Sequence, residues 1–464
     1  MAIAQGPVAQ TASAPATAPA ASPTPKLPDY NASSSTRNAG NYLWPLAGIV
    51  GINFGLWAVP YASGSPFVKV NRSVWEEHFR SGPQWDDGEF EINQLGHPYQ
   101  GSMYFSAARV NGLSFWEAAP YTLAGSWMWE YFMEHEQPST SDFLTTTIGG
   151  TFLGETLYRL SNAIRNDSAS GSTRLLREIA AFAVNPVSGL DRVFTGKAWA
   201  DGRPGNPVPL RMNLRLGIDG LGQPEGTGWG TTFRARIRFD YGDPYAKSRV
   251  TTPFEVFHLA LHLSASDTIL GQGLEGIGVL LGSRFSAAPN QASLLAWVMS
   301  YQYLTNGTAK LLTRESAGVY QLGELGTGLG WFARWGLGAG FSVHSELDVL
   351  AVPSGAVTSP YAKYEANRSY NYGLGAALKL EVSLRQERLG RLYARANSHL
   401  YAVVDGARGT DSVGDVQLGV YANLSRGHGL GFNATHYDRR SLYDNYPSFH
   451  DRFWSGAAHY ELEF

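Results

Sequence analysis

The sequence contains no cysteine, which excludes a disulfide framework and any thiolate metal site. That absence suits an oxidising periplasm or cell surface. Charge is also scarce: Asp, Glu, Lys and Arg make up 16% of the residues, against roughly 25% in soluble domains. The formal net charge of -3 leaves no basic footprint for nucleic acid, so no nucleic-acid partner is expected. A charged n-region followed by an apolar h-region is missing, so no intact signal peptide is visible. Ala2-Ile3-Ala4-Gln5 instead reads as the remnant of an A-x-A cleavage site, with Met1 an appended start. There is no G-x-S-x-G elbow, and no cofactor is implied. In excess are glycine, with 53 residues, and aromatics, at 13%. Low charge with abundant glycine and aromatics fits a lipid-facing β-barrel with aromatic girdles.

The dominant pattern is strict alternation. From Leu210 to Asp219 the even positions are apolar (Leu210, Met212, Leu214, Leu216, Ile218), while Arg211, Asn213, Arg215 and Asp219 face the other way. The next run reverses parity, with Phe233, Ile237, Phe239 and Tyr241 alternating with Arg234, Arg236, Arg238 and Asp240. Similar runs fall near 254–265, 268–285, 292–304, 316–337, 338–352, 370–387, 390–404, 412–426, 428–440 and 451–464. Many approach or exceed the roughly ten residues that cross a bilayer at a tilt. The reading is a transmembrane antiparallel β-barrel of about twelve strands in the outer membrane, preceded by an α-helical domain. The last run, Phe453 to Phe464, resembles the closing strand of Gram-negative outer-membrane barrels. That resemblance implies recognition by the barrel assembly machinery, with outer-membrane lipids as the other partner.

Three regions follow from composition: residues 1–40, an Ala/Pro/Ser-rich spacer expected to be disordered; 41–200, a helical plug or periplasmic domain; and 201–464, the barrel. Residues 42–61 form a charge-free apolar run as long as a membrane span, yet Asn53, internal glycines and two prolines favour a buried or interfacial helix. From Ser73 to Leu160 twelve acidic residues face only Arg80, Arg109 and Arg159. Trp116, Tyr121, Ala124, Trp127, Met128 and Tyr131 recur at helical spacing as one apolar face. Ser139 or Ser141 caps a further helix that carries Asp142 in its first turn and ends near Ile164. On it Thr146, Gly150 and Gly154 form a small-residue stripe that admits another backbone.

With apolar parity facing lipid, the lumen receives Arg211, Arg215, Arg234, Arg236, Arg238, His258 and His262, along with Lys379, Glu381, Arg385, Arg391, Arg395, His399, Asp415, His459 and Glu461. Pairing of these arginines with lumen carboxylates is the favoured reading. The alternative is an arginine wall that attracts anionic solute or docks the acidic helices as a plug or cap. His258 and His262 stand roughly 13 Å apart along a strand, so no metal site is indicated there or elsewhere.

The densest polar block runs from Asn93 through His97-Pro98-Tyr99 and Ser102 to Arg109. Pro98 predicts an extended His97 on a loop, ahead of a helix starting near Ser102 whose free N–H groups could hold an anion beside His97 and Arg109. A catalytic reading makes His97 a general base oriented by Glu117, Glu130 or Asp142, with Ser102 as nucleophile in acyl-ester hydrolysis of an envelope lipid or lipopolysaccharide. The structural alternative is a hydrogen-bonded His97 at a domain junction, and it is favoured. Asn93, Tyr99 and Arg109 are the accompanying ligand candidates. The block Asn93-x-x-x-His97-Pro-Tyr-x-Gly101-x-x-Tyr104-Phe-x-Ala-Ala-Arg109, with Trp116-Glu-x-x-Pro-Tyr121 and Pro138-Ser-x-x-Asp142 followed by Gly149-Gly-x-x-x-Gly-Glu155, resembles a family of bacterial outer-membrane proteins known only as a domain of unknown function. The resemblance covers residues 75–165 and implies no activity. The acidic-then-glycine helix is also loosely similar to VanZ-like membrane helices. Overall the sequence points to a barrel with a helical plug serving envelope transport or maintenance, with lipid hydrolysis through His97 as the alternative.

Overall fold

A computed structural model of the protein describes residues 38–200, 208–222, 229–246, 249–266, 270–285, 291–305, 312–327, 341–386 and 388–464. Most of the expected spacer lies outside these residues. Eight helices come first: α1 (Ala39–Ala62), α2 (Arg72–Ser81), α3 (His97–Val110), α4 (Phe115–Phe132), α5 (Thr140–Leu144), α6 (Gly150–Ile164), α7 (Gly171–Val184) and α8 (Pro186–Phe194). Their starts are written locally. Asn71 accepts from Val74 N, Ser114 and Glu117 form a capping box, Ser139 accepts from Asp142 N, and Asn185 accepts from Ser188 N.

The remainder is a 13-stranded antiparallel sheet. Its long strands are β1 (Leu210–Gly222), β2 (Trp229–Tyr241), β3 (Phe257–Ala265), β4 (Leu270–Phe285), β5 (Gln291–Thr305), β6 (Leu312–Thr327), β7 (Phe341–Thr358), β8 (Tyr370–Gln386), β9 (Gly390–Asp405), β10 (Gly409–Ser425), β11 (His428–Tyr443) and β12 (Phe449–Glu463). The thirteenth member is the two-residue segment Arg249–Val250, which prolongs the line of β3 by pairing with β4 at Ser283 and Gly282. Neighbours in sequence pair in turn, and β12 returns to β1 in a register running from Asn213↔Glu463 to Leu221↔Ser455. The sheet is therefore a closed barrel with no free edge. The run anticipated over 316–337 is β6, which begins earlier, at Leu312, and ends at Thr327 among the described residues.

Alternation decides what each face meets. Arg236 and Arg238 of β2, His258 of β3, Glu275 of β4, Gln302 of β5, Lys379 and Glu381 of β8, Arg395 of β9 and Asp415 of β10 line one cavity, which is the lumen. The opposite parity carries Phe233, Leu263, Trp297, Leu378, Leu392, Leu418, Phe432 and Trp454, all exposed. A closed barrel with a charged interior and an exposed apolar exterior is a transmembrane barrel of the outer-membrane kind. Arginine at Leu418, 61% exposed, is expected to cost about 2–4 kcal/mol at the bilayer midplane. Arginine at the adjacent lumen-facing Gln417 is expected to cost no more than ~1 kcal/mol, the price of its hydrogen bonds to Asn433 and Thr435. Denaturant titration of both variants folded into vesicles tests the assigned faces, and equal losses would refute them.

The helices do not plug this lumen. Every described contact between them and the barrel involves an outward-facing side chain or a connecting segment. Phe90 stacks on Tyr303 and meets Tyr370 edge-on, Phe152 stacks on Tyr301, and Trp85 packs on Tyr372. Tyr301 and Tyr303 have the parity opposite to lumen-facing Gln302, and Tyr370 and Tyr372 the parity opposite to Lys379 and Glu381. Phe254, in the β2–β3 connection, touches both Phe115 and Phe152. These rings share one buried cluster with Phe105, Tyr241, Phe257 and Leu259, so the helical unit lies against the outer wall across β2 to β8. Aromatic pairs of this kind contribute about 0.5–1.5 kcal/mol each beyond the area they bury. The expected docking of acidic helices onto the lumen arginines is thus corrected: the arginines point inward and the docking surface is aromatic.

Two local expectations also change. In α1 only Pro45, Ile49 and Asn53 are buried. The helix is long and apolar enough to cross a membrane, and its remaining face, including Leu43, Trp44, Val50 and Phe54, is exposed rather than buried in a core. In α4 the predicted aromatic face points out at Trp116 and Trp127, while Ala118, Thr122, Gly125, Ser126 and Glu130 are buried. The helical unit therefore exposes apolar side chains on α1 and α4 and encloses these polar groups beside an apolar core of Phe105, Phe115, Phe152, Leu153 and Leu160.

Candidate functional site

Gly101 of α3 and Gly150 of α6 cross almost backbone to backbone. A Cβ on Gly101 would stand 2.1 Å from the Thr146 carbonyl oxygen, and one on Gly154 would meet the Phe105 side chain at 2.6 Å. The Thr146/Gly150/Gly154 stripe is the seat for α3 that its spacing suggested. This crossing draws the start of α3 toward α5. A π-helical turn, Ile92–Gly96, leads directly into His97, and another, Thr145–Gly149, follows three residues after Asp142. Such turns reposition side chains within a helix and concentrate at functional sites.

The result brings three residues together. His97, Glu130 and Asp142 are all buried, and one potential ligand atom from each lies within 4.8 Å of the other two. His97 Nε2 is 3.6 Å from Asp142 Oδ2. Ser139 N donates to Glu130 Oε2 at 2.8 Å, and the Ser139 hydroxyl accepts from Asp142 N at 3.0 Å. One serine thus holds the Glu130 carboxylate and the Asp142 main chain. The second oxygens, Glu130 Oε1 and Asp142 Oδ1, are buried without a hydrogen-bond partner. Burial pushes the Asp142 carboxyl up to about 6, while the nearby His97 charge pulls the other way. Burial, reinforced by the charge of Glu134, holds Glu130 well above the ordinary carboxylate range. Glu134 accepts from Trp129 Nε1 at 2.8 Å. Thr122 and Ser126, two turns and one turn before Glu130, add buried hydroxyls without partners on the same face of α4.

The other candidates lie elsewhere. His97 is helical (φ -61, ψ -45) and its N–H bonds Ile92 O, so neither the extended loop nor a free helix start near Ser102 exists. Ser102 donates its hydroxyl to Tyr99 O at 2.6 Å; no described contact joins it to His97. Glu117 caps α4, thirteen residues and about 20 Å along the helix from Glu130. Arg109 is about 18 Å along α3 from His97. It donates to Glu155, as does Arg159, at 2.7 and 2.6 Å, forming a buried triad. Tyr99 is exposed. Asn93 donates to the hydroxyls of Tyr370 and Tyr372 at 3.0 and 3.3 Å, tying the turn before His97 to the barrel wall rather than to the lumen.

Arg211, Arg215, Arg236, Arg238 and His258 line the lumen together, and Arg234 and His262 line an adjoining stretch. Carboxylates meet most of them: Arg215 and Arg391 share Glu461 at 2.9 Å each, Arg236 and His262 share Glu275 at 3.1 Å each, Arg234 meets Asp219 at 2.6 Å and Arg395 meets Glu381 at 2.6 Å. Above these charges an apolar layer that includes Ile277, Val279, Leu294, Val298, Leu350 and Tyr401 fills part of the interior. Sequence spacing also gave no indication of a metal site, because it weighed only His258 and His262. The converging groups come from three separate helices instead. The wall tyrosines Tyr301, Tyr370 and Tyr372 are not among the sequence candidates; tyrosine at lipid-facing parity is the available signal.

No curated protein matches the chain. Among solved structures, similarity extends to the NanC porin (10% identity, 53% of this chain and 98% of that one, TM-score 0.28). It extends also to an outer membrane channel from Pseudomonas putida F1 (9%, 57% and 100%, 0.30) and to the β domain of the Bordetella autotransporter BrkA (14%, 55% and 100%, 0.27). His97, Glu130 and Asp142 all fall within residues 82–187, and that segment matches the family described as a domain of unknown function, DUF3943.

Proposed function

We propose that the barrel is an anchor in the outer membrane of a Gram-negative envelope and that the wall-bound helical unit is its working part, serving envelope-lipid maintenance. The observation that carries this reading is the apolar surface the unit turns outward around a buried polar centre. A buried His–Glu–Asp centre sits inside a jacket that exposes Leu43, Trp44 and Phe54 of α1 and Leu175, Leu176 and Ile179 of α7. Exposed apolar surface of this kind marks contact with lipid or protein, and the unit that carries it is seated on the outer wall of the barrel through its buried aromatic cluster. In this arrangement the barrel supplies position and the helices supply chemistry. A serine-nucleophile mechanism finds no support, since Ser102 is committed to Tyr99 O.

The test uses the full-length protein. A photo-reactive residue at Val50 or Ile179 is expected to cross-link lipid in vesicles and in cells, and His97→Ala is expected to alter the outer-membrane lipid profile with the barrel still heat-modifiable on gels. Cross-links to protein alone, with an unchanged lipid profile, would overturn the proposal. A second reading, solute passage, draws on the charged lumen. It predicts planar-bilayer conductance that responds to Arg236→Ala or Glu381→Ala and not to His97→Ala.

A further inference from the structure

The buried acidic centre holds Glu130 and Asp142 out of water with His97 beside them. Among the described residues no lysine or arginine pairs with Glu130, Glu134 or Asp142; His97 is the one basic group in reach. Carboxylates removed from water are paired, protonated or metal-bound. The contrast within the same unit is direct, for Glu155 is equally buried and receives two arginines.

We infer that His97, Glu130 and Asp142 form a binding site for a divalent transition cation of the zinc class. The spacing fits. Two ligands about 2.05 Å from a tetrahedral ion lie roughly 3.3 Å from each other, and His97 Nε2 stands 3.6 Å from Asp142 Oδ2 with Glu130 inside the same 4.8 Å envelope. The donor set fits as well. One imidazole with two carboxylates is a nitrogen–oxygen set suited to zinc or its first-row neighbours, and three protein ligands leave a fourth position open for water or substrate. Orphaned Glu130 Oε1 and Asp142 Oδ1 supply free lone pairs in a place where unpaired oxygens are otherwise costly. Ser139 serves as the outer support, its N–H bonded to the Glu130 carboxylate and its hydroxyl to the Asp142 main-chain N–H. The His97 side chain keeps 11% of its surface exposed, which gives an entry path. The inference goes beyond the lipid reading and does not depend on it, since metal binding is measured without any substrate.

The test takes full-length protein in detergent, strips it with a chelator, and titrates it with Zn(II) and separately with Co(II). Wild type is expected to hold one ion per chain and to give the visible absorption of low-symmetry Co(II). Asp142→Asn and Glu130→Gln, which keep side-chain size, are expected to weaken zinc binding by more than the ~10–100-fold that loss of an outer partner costs. Lumen variant His262→Gln is expected to bind as wild type does. Heat-modifiable migration and far-ultraviolet dichroism check that each variant is folded; should one fail to fold, the other variant and the wild-type Co(II) spectrum decide. Wild type that takes up no zinc, or variants that retain wild-type affinity, would overturn the site and leave a protonated carboxyl cluster in its place, with the lipid reading untouched.

Discussion

Alanine at Glu155 is expected to cost about 3–5 kcal/mol, the toll of leaving buried charge uncompensated, and to unfold the helical unit while the barrel stays closed. Glu155 receives Arg109 through Nε at 2.7 Å and Nη2 at 3.2 Å, and Arg159 through Nε at 2.6 Å. All three side chains are almost wholly buried. Without the carboxylate, two guanidiniums face each other in a low-dielectric interior. Arg159 also donates to Pro253 O at 2.7 Å, so its displacement loosens the hold on the β2–β3 connection. Glu155→Gln, which keeps an acceptor but not the charge, is expected to fall between alanine and wild type. Helix melting by far-ultraviolet dichroism, with limited proteolysis of residues 38–200, measures the loss. Heat-modifiable migration monitors the barrel. A melting temperature unchanged in the alanine variant would show that the triad contributes nothing net.

Even alanine at Gly150 is expected to be severe. Its Cβ would stand 2.6 Å from the Gly101 Cα and 2.7 Å from the Gly101 carbonyl carbon, and backbone cannot swing aside as a side-chain tip can. Overpacking ordinarily costs about 1–3 kcal/mol, and a clash between two main chains belongs at or above the top of that range. The crossing lies four residues after His97 and eight after Asp142, so pushing α3 from α6 also parts those two groups. Loss of stability and loss of zinc uptake are expected together. Gly51→Ala in α1 is the control, because a Cβ there meets nothing within 4 Å; a gain of up to ~1 kcal/mol from helix propensity is expected instead. Equal behaviour of the two variants in a thermal melt would dismiss the crossing as a constraint.

The barrel was legible because its physics is local. A strand with one wet and one oily face must alternate, and the runs at 210, 292, 370, 390 and 428 begin within a residue of where the strands begin. The stripe Thr146/Gly150/Gly154 was legible for the same reason, since close approach demands small residues on one face. Which partner covers a face is not local. Tyr301 and Tyr370 carry lipid-facing parity, and nothing in their own strands says that helices rather than lipid lie on them. The aromatic positions of α4 mark one apolar face, and periodicity alone does not say that Trp116 and Trp127 on it point outward. His97 was misplaced because a residue before proline usually avoids the helical region. Here the π-helical turn from Ile92 to Gly96 carries helical geometry into Pro98, whose missing N–H costs nothing at a helix start. Glu130 and Asp142 were named as partners for His97, yet their meeting depends on a crossing of α3 and α6 that spacing alone does not reveal.

The wall-side docking also sets an order of events in time. Asn93 reaches Tyr370 across 277 positions of sequence, and Gln94 reaches Tyr372 across 278. The seat for the helices is built from strands β2 to β8 and does not exist until those strands have paired. The helical unit is made first and berths last, so the rings it seats on the wall, Trp85, Phe90 and Phe152, have no partner until those strands pair. A chain arrested before β8 would reach its membrane with a finished cargo and nowhere to moor it.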